Sequence, residues 1–227
     1  IAFNFQIKHY LCNMETSDTR FKGFPNADNV RLSETIIVAD ADYLDDVAFR
    51  FTVQGERILG RRVPKADLSQ WAVDAALDGG LRADGKSHTT QVLLVHEKAS
   101  SQLRNFSPSV YSTELNAQAF TDPHLGEFLV NDVAVGDMVG KDDYILDVVR
   151  LVLGHSEVRR LIIIPNAEVG TLYAELQSAL HGAATDQRIT IFTMSAMPGG
   201  SFCQEQLAYS VMDALGISAE ELEHHMG

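Results

Sequence analysis

Residues 141–216 read KDDYILDVVRLVLGHSEVRRLIIIPNAEVGTLYAELQSALHGAATDQRITIFTMSAMPGGSFCQEQLAYSVMDALG. Three helical patterns alternate here with two short apolar strands. Asp142 or Asp143 caps a helix carrying Ile145, Val148, Val149 and Val152 that Gly154 ends. Leu161 to Ile164 is a strand, Leu172, Leu176 and Leu180 mark a helix ending at Gly182, and Ile189 to Phe192 is the next strand. Two strands joined through one helix imply a parallel, right-handed crossover. The second strand opens onto Pro198-Gly199-Gly200-Ser201, and a last long helix is expected from about Phe202 to Leu215. Ser218-Ala219-Glu220-Glu221 is a capping box for a short terminal helix.

Working back toward the N-terminus, Ile36, Ile37 and Val38 form a β-branched run ending at Asp40, as expected of a strand buried on both faces. From Asp42 the apolar period becomes helical through Leu59, with Asp42, Asp45 and Asp46 in the first turns and Arg57, Arg61 and Arg62 at the end, the sign order a helix dipole favours. Asp67 caps a second helix bearing Leu68, Trp71 and Ala75, which Gly79-Gly80 stops. Val92 to Val95 is another apolar strand, with His96 and Glu97 at its exit. Ser107-Pro108 opens a short helical turn, and Leu115 to Val135 reads as an antiparallel pair or an irregular insertion. Phe3, Phe5 and Ile7 alternate as in a half-buried strand, followed by a polar loop from Asn13 to Arg31.

The pattern predicts one α/β domain over residues 1–227: a mixed, largely parallel sheet flanked by helices in three layers, with its core in 34–97 and 141–216 and an antiparallel insertion at about 98–140. Acidic residues outnumber basic ones 31 to 18, and a formal charge of −13 disfavours nucleic acid and anionic membranes as partners. No run approaches the roughly 20 apolar residues that span a bilayer. Cys12 and Cys203 are too few for a disulfide framework, which favours a reducing cytoplasm, although a chain that starts at Ile1 leaves a removed leader open. The eight histidines have no zinc-site spacing, so no structural metal is indicated, and no cofactor motif is present.

Ligands of open parallel sheets gather beyond the carboxyl ends of the strands, where loops meet helix N-termini. The exits here deliver Asp40 and Asp42, His96 and Glu97, Asn166 and Glu168, and Ser195 with the glycine loop. Gly199 and Gly200 permit close backbone approach and Ser201 adds a hydroxyl at the expected helix start, which suits an anion. The plainer reading makes Ser201 an N-cap in a Ser-x-x-Gln box with Gln204. Cys203 would fall in that helix's first turn, where the dipole favours thiolate, with His96 as the candidate base if its strand is adjacent; a buried, inert cysteine is the commoner case. Asp40 and Asp42 are weak candidates for a hard cation such as magnesium, against simple helix capping. Arg57, Arg61, Arg62 and Lys65 grip an anion or merely close a helix.

Ala39-Asp40-Ala41-Asp42-Tyr43-Leu44-Asp45-Asp46-Val47-Ala48-Phe49, Leu59-Gly60-Arg61-Arg62-Val63-Pro64-Lys65-Ala66-Asp67-Leu68 and Met197-Pro198-Gly199-Gly200-Ser201-Phe202 resemble a gut-bacterial protein family that lacks any assigned activity. The resemblance covers most of the chain and transfers no catalytic residue or substrate. Three functions stay open. The first is binding of a small anionic ligand around Gly199, Gly200 and Ser201, with Asn166, Ser195 and Asp40 lining the pocket. The second is a Cys203-dependent or metal-assisted hydrolase or transferase on the same pocket. The third is a non-catalytic scaffold that self-assembles as a homo-oligomer.

Overall fold

The computed structural model describes residues 32–136, 139–181 and 186–226. The expected first strand, the loop from Asn13 to Arg31, Cys12 and Gly182 lie outside those residues. The elements in chain order are β1 (Thr35–Asp40), α1 (Ala41–Leu59), β2 (Ala66–Asp67), α2 (Leu68–Asp78), β3 (His88–Glu97), β4 (Phe106–Ser107), a π-helical turn (Tyr111–Leu115), β5 (Gln118–Asp122) and β6 (Gly126–Val135). They continue with α3 (Lys141–Leu153), β7 (Arg160–Ile164), α4 (Leu172–Leu180), β8 (Arg188–Thr193), β9 (Cys203–Gln206), α5 (Leu207–Ala214) and α6 (Ala219–Met226).

Seven strands form a mixed sheet in the order β5-β6-β3-β1-β7-β8-β9. Every pairing is parallel except β5 on β6. The run Thr35–Asp40 sits at the centre and is buried throughout, because helices cover both faces. Strand alternation divides it: Ile37 and Ala39 join Leu44, Val47, Trp71 and Val211 on the face covered by α1, α2 and α5. Ile36 and Val38 join Ile145, Val149 and Leu176 under α3 and α4. The fold is therefore α/β with helices on both faces of a mainly parallel sheet.

Local chemistry sets the helix ends. The Asp40 carboxylate accepts from the Tyr43 amide at 3.0 Å to cap α1, and Gly60 closes it in the left-handed conformation at φ 64°. Asp67 accepts from the Ser69 and Gln70 amides at the start of α2. The Ser218 hydroxyl accepts from the Glu221 amide at 3.1 Å, one half of the expected box.

The antiparallel pair expected within Leu115 to Val135 is β5 on β6, and β6 also runs parallel to β3 over its whole length, which adds the pair to the sheet. Other expectations need correction. Ser107 belongs to β4, which pairs with β2, and the helical turn opens only at Tyr111. Helix α3 starts at Lys141 behind Gly140, without a side-chain cap from Asp142 or Asp143. Most consequentially, the last long helix does not begin near Phe202. Cys203–Gln206 pairs in parallel with Thr190–Thr193, satisfying backbone groups of β8 that would otherwise face outward, and α5 starts at Leu207.

Gly126 shows how closely the strands approach. Its φ is +93°, and a Cβ there would fall onto the His88 carbonyl and 2.7 Å from the His88 nitrogen, both backbone atoms of the neighbouring strand. Gly60, at φ +64°, has open space around it. Urea unfolding is therefore expected to show Gly126→Ala losing about 3 kcal/mol, the upper range for backbone strain. Gly60→Ala should lose only about 1 kcal/mol, the cost of the left-handed conformation alone.

Candidate functional site

Because β3, β1, β7 and β8 are adjacent and parallel, their exits meet at one edge of the sheet. The chain leaves β1 into α1 on one face and leaves β7 into α4 on the other. The gap between β1 and β7 is thus a topological switch point, the usual ligand position in such sheets.

Asp40 ends β1 and is 1% exposed. The Lys141 ammonium, from the first residue of α3, lies 2.8 Å from Asp40 Oδ1 and 3.0 Å from Asp42 Oδ2. Asp42 also accepts from the Glu97 amide at 2.8 Å and from Ser100 Oγ at 2.5 Å. Each charge responds to this setting. Burial raises the Asp40 carboxyl above its ordinary range despite the neighbouring ammonium. Burial also acts upward on Asp42, but bonds from Ser100, the Glu97 amide and Lys141 outweigh it and hold that carboxyl low. Burial works against the Lys141 charge, and its attraction to Asp40 and Asp42 prevails, raising the ammonium's proton affinity.

Helix α1 fixes both loops that border this cluster. Asp45 accepts from the Asn105 amide at 2.8 Å and from Asn105 Nδ2 at 3.1 Å, tying down the segment after β3. Arg50 makes a two-pronged pair with Glu168 at 3.0 and 3.2 Å, lies 3.1 Å from Asp46 and tethers the segment after β7. Between α1 and residues 99–105 an open cleft of about 720 Å³ remains, walled by Asp42, Asp46, Phe49, Ser100, Arg104 and Tyr111 among others.

His96 is committed to structure. Its Nδ1 lies 2.9 Å from the Glu97 carbonyl oxygen, its Nε2 lies 3.3 Å from Asp132, and its ring stacks on Tyr111 with centroids 3.7 Å apart. Cys203 is exposed on β9. Three strands separate it from β3, or roughly 19 Å at the usual strand spacing. The thiol and imidazole of the expected pair are not brought together, and no helix N-terminus flanks Cys203 because α5 begins four residues later.

The glycine loop is likewise different from its expectation. Pro198 O accepts from Tyr173 Oη at 2.6 Å and from Gln177 Nε2 at 2.9 Å, and Gly199 O accepts from Gln177 at 2.9 Å. Gln204, expected to return a capping bond to Ser201, instead donates to Met197 O at 3.0 Å and accepts from the Met197 amide at 3.3 Å. Gly199, Gly200, Ser201 and Ser195 are exposed at the β8–β9 end of the edge, and Asn166 accepts from the Glu168 amide beside β1. Asp40 and Asn166 are the two expected residues next to the switch point. At the far end of α1, Arg61 grips Glu221 through two bonds of 2.6 Å, so the basic cluster closes a helix and docks α6.

Asp40 and Asp42 have the Lys141 ammonium where a shared metal ion would stand, and among the described residues no group of three or more His, Cys, Asp or Glu could hold one. The residues missed by the sequence reading are Lys141, Ser100, Asn105, Arg50 and Tyr111. Only Arg50 has a partner close in sequence, Asp46 four residues before it; the contacts that matter at this edge reach residues far along the chain.

Over residues 29–222 the chain matches the profile of the DUF6621 family, described as a family of unknown function, and it belongs to that family. No curated protein and no solved structure matches it. Among the described residues, no helix is long and apolar enough to cross a membrane.

Replacing Lys141 by Met leaves Asp40 buried without its counter-charge, and the expected loss of unfolding free energy at pH 7 is about 3 kcal/mol. The pH dependence gives a second check. Without the ammonium the Asp40 carboxyl rises further, so between its unfolded and folded values the native state binds more protons than the unfolded chain. Urea titrations of Lys141→Met should therefore show stability recovering as pH falls from 7 toward 5. Asp40→Asn added to Lys141→Met should remove the part of that recovery that exceeds the parent's.

Proposed function

We propose that this protein binds a small polar molecule at the carboxyl edge of its sheet, in the cleft beside the Asp40–Lys141–Asp42 cluster. The observation that carries this reading is the cluster itself. Desolvating two carboxylates and an ammonium costs free energy that apolar packing would not, and such groups concentrate where a protein handles a ligand. They stand at the switch-point edge, next to an open cleft of about 720 Å³, with both bordering loops pinned by α1. Binding through Gly199, Gly200 and Ser201 has less support, because α5 begins at Leu207 and gives that loop no dipole. This reading puts the ligand nearer β1 and β3 than β8, and Asn166 is not among the residues that wall the cleft. The acidic balance favours a small molecule over nucleic acid or membrane, and the paucity of cysteine favours the cytoplasm as the place of action.

The test is a thermal-shift screen with amino acids, amines, sugars and nucleotides. A ligand at about 100 times its Kd stabilises by roughly 2.7 kcal/mol, a shift of several degrees. At least one compound should produce it, and Arg104→Ala or Gln102→Ala in the cleft wall should diminish it. A screen that shifts nothing, or shifts that both variants preserve, would turn the reading toward a scaffold.

A further inference from the structure

We infer that Asp74 on α2 and Asp213 on α5 share one proton, and that this proton is a pH-sensitive clasp between the two helices. Gln70, Asp74 and Asp78 follow one another by single turns of α2, and α2 packs on α5. The Gln70 amide nitrogen donates to Asp74 Oδ1 at 3.0 Å and to Asp213 Oδ2 at 3.3 Å, so two carboxyls from different helices gather around one donor. The second oxygen of Asp74 is sealed from water and has no hydrogen-bond partner among the described residues. The Asp74 side chain also meets that of Asp213 directly, a contact of two acceptors that becomes a hydrogen bond only when one carboxyl carries a proton.

No cation competes for that role. Neither carboxyl has an ion-pair partner among the described residues, and the charges acting most on Asp74 are those of Asp213 and Asp78, both negative. Of the other elements packed on α2 and α5, β2 brings Asp67, committed to the Ser69 and Gln70 amides, and β1 brings Asp40, committed to Lys141. Helix α1 brings Glu56, engaged by the Val63 amide and Arg62, and past its end Arg61 is held by Glu221 and the Gly216 carbonyl. Burial first, and the two negative neighbours after it, raise the Asp74 carboxyl from 3.8 to about 6 against the opposing bond from Gln70. Asp213 is exposed, so the shared proton can exchange with water. Below about pH 6 the closed pair keeps a proton that separated helices would release, and the proton holds α5 in place. As pH rises through that value the proton leaves, and two like charges face each other across the contact. Helix α5 follows directly on β9 and carries Leu207, Val211 and Ala214 into the core, so the clasp sets how firmly this end of the sheet is covered.

The experiment is amide hydrogen exchange by NMR on the whole protein at about pH 5 and about pH 7.5, corrected for intrinsic rates, with an NMR titration of the aspartate carboxyl carbons. The Asp74 carboxyl should titrate near 6. Relative to Ile163 in β7, the amides of Val211 and Leu215 should lose about tenfold in protection at the higher pH, the factor linkage gives when opening returns this carboxyl from about 6 to 3.8. Asp74→Asn puts an amide donor in place of the proton and should hold α5 at its low-pH protection under both conditions. Asp213→Asn, at an exposed position, removes the facing charge; it should lower the Asp74 midpoint by about one unit and shrink the pH difference. An Asp74 midpoint of about 4 in the parent, the ordinary carboxyl value, would overturn the inference. So would α5 protection that is equal at the two pH values, that changes no more than Ile163, or that keeps its full pH dependence in both variants.

Discussion

One ammonium group holds the carboxyl edge of this sheet together. Lys141 opens α3, reaches the buried carboxylate that ends β1 and the carboxylate two residues on, and through Asp42 is coupled to the backbone of Glu97 and the hydroxyl of Ser100. One cation thereby links the central strand, the first turn of α1, the exit of β3 and the start of the helix on the opposite face of the sheet. Its energetic character matters as much as its reach. Charges taken from water at this depth are tolerable only as a complete set, so the arrangement is nearly all or nothing.

Around that centre, α1 distributes its polar residues by helical geometry. Asp42 and Asp45 turn toward the segment after β3, and Arg50, paired with Asp46 on its own helix, engages the segment after β7. Residues three and four apart share a helix face, so one helix can fasten loops on two sides of the strand it follows. The cleft is the space left between α1 and the first of these loops. Its walls are held by the same bonds that hold the cluster, which couples the stability of the edge to the shape of the site.

Much of the fold was legible because its signals are local. The all-buried run at Thr35–Asp40, the helical period from Asp42, the cap at Asp67 and the strands around Ile162 and Ile191 follow from burial on two faces and from unsatisfied helix-end amides. The site was less legible. Lys141 and Asp42 are 99 residues apart in sequence, and nothing near Lys141 announces its partners. The segment after Ser201 failed for a different reason. Ser201 and Gln204 have the spacing of a capping box, but the open edge of β8 takes Cys203–Gln206 as a strand, and tertiary pairing overrode the local preference. Asp40 was found for its position at a strand exit, while its role depends on an ammonium that only the folded chain supplies.

The most direct measurement of the central claim is amide hydrogen exchange by NMR on Lys141→Met against the parent chain. If the ammonium organises this edge, the amides of Tyr43 and Glu97, which donate to Asp40 and Asp42, should exchange at least about tenfold faster in the variant. Amides of Ile162 and Ile163 in the adjoining β7 should change much less. Equal protection of Tyr43 and Glu97 in the two proteins, or uniform loss across β7 as well, would contradict the account.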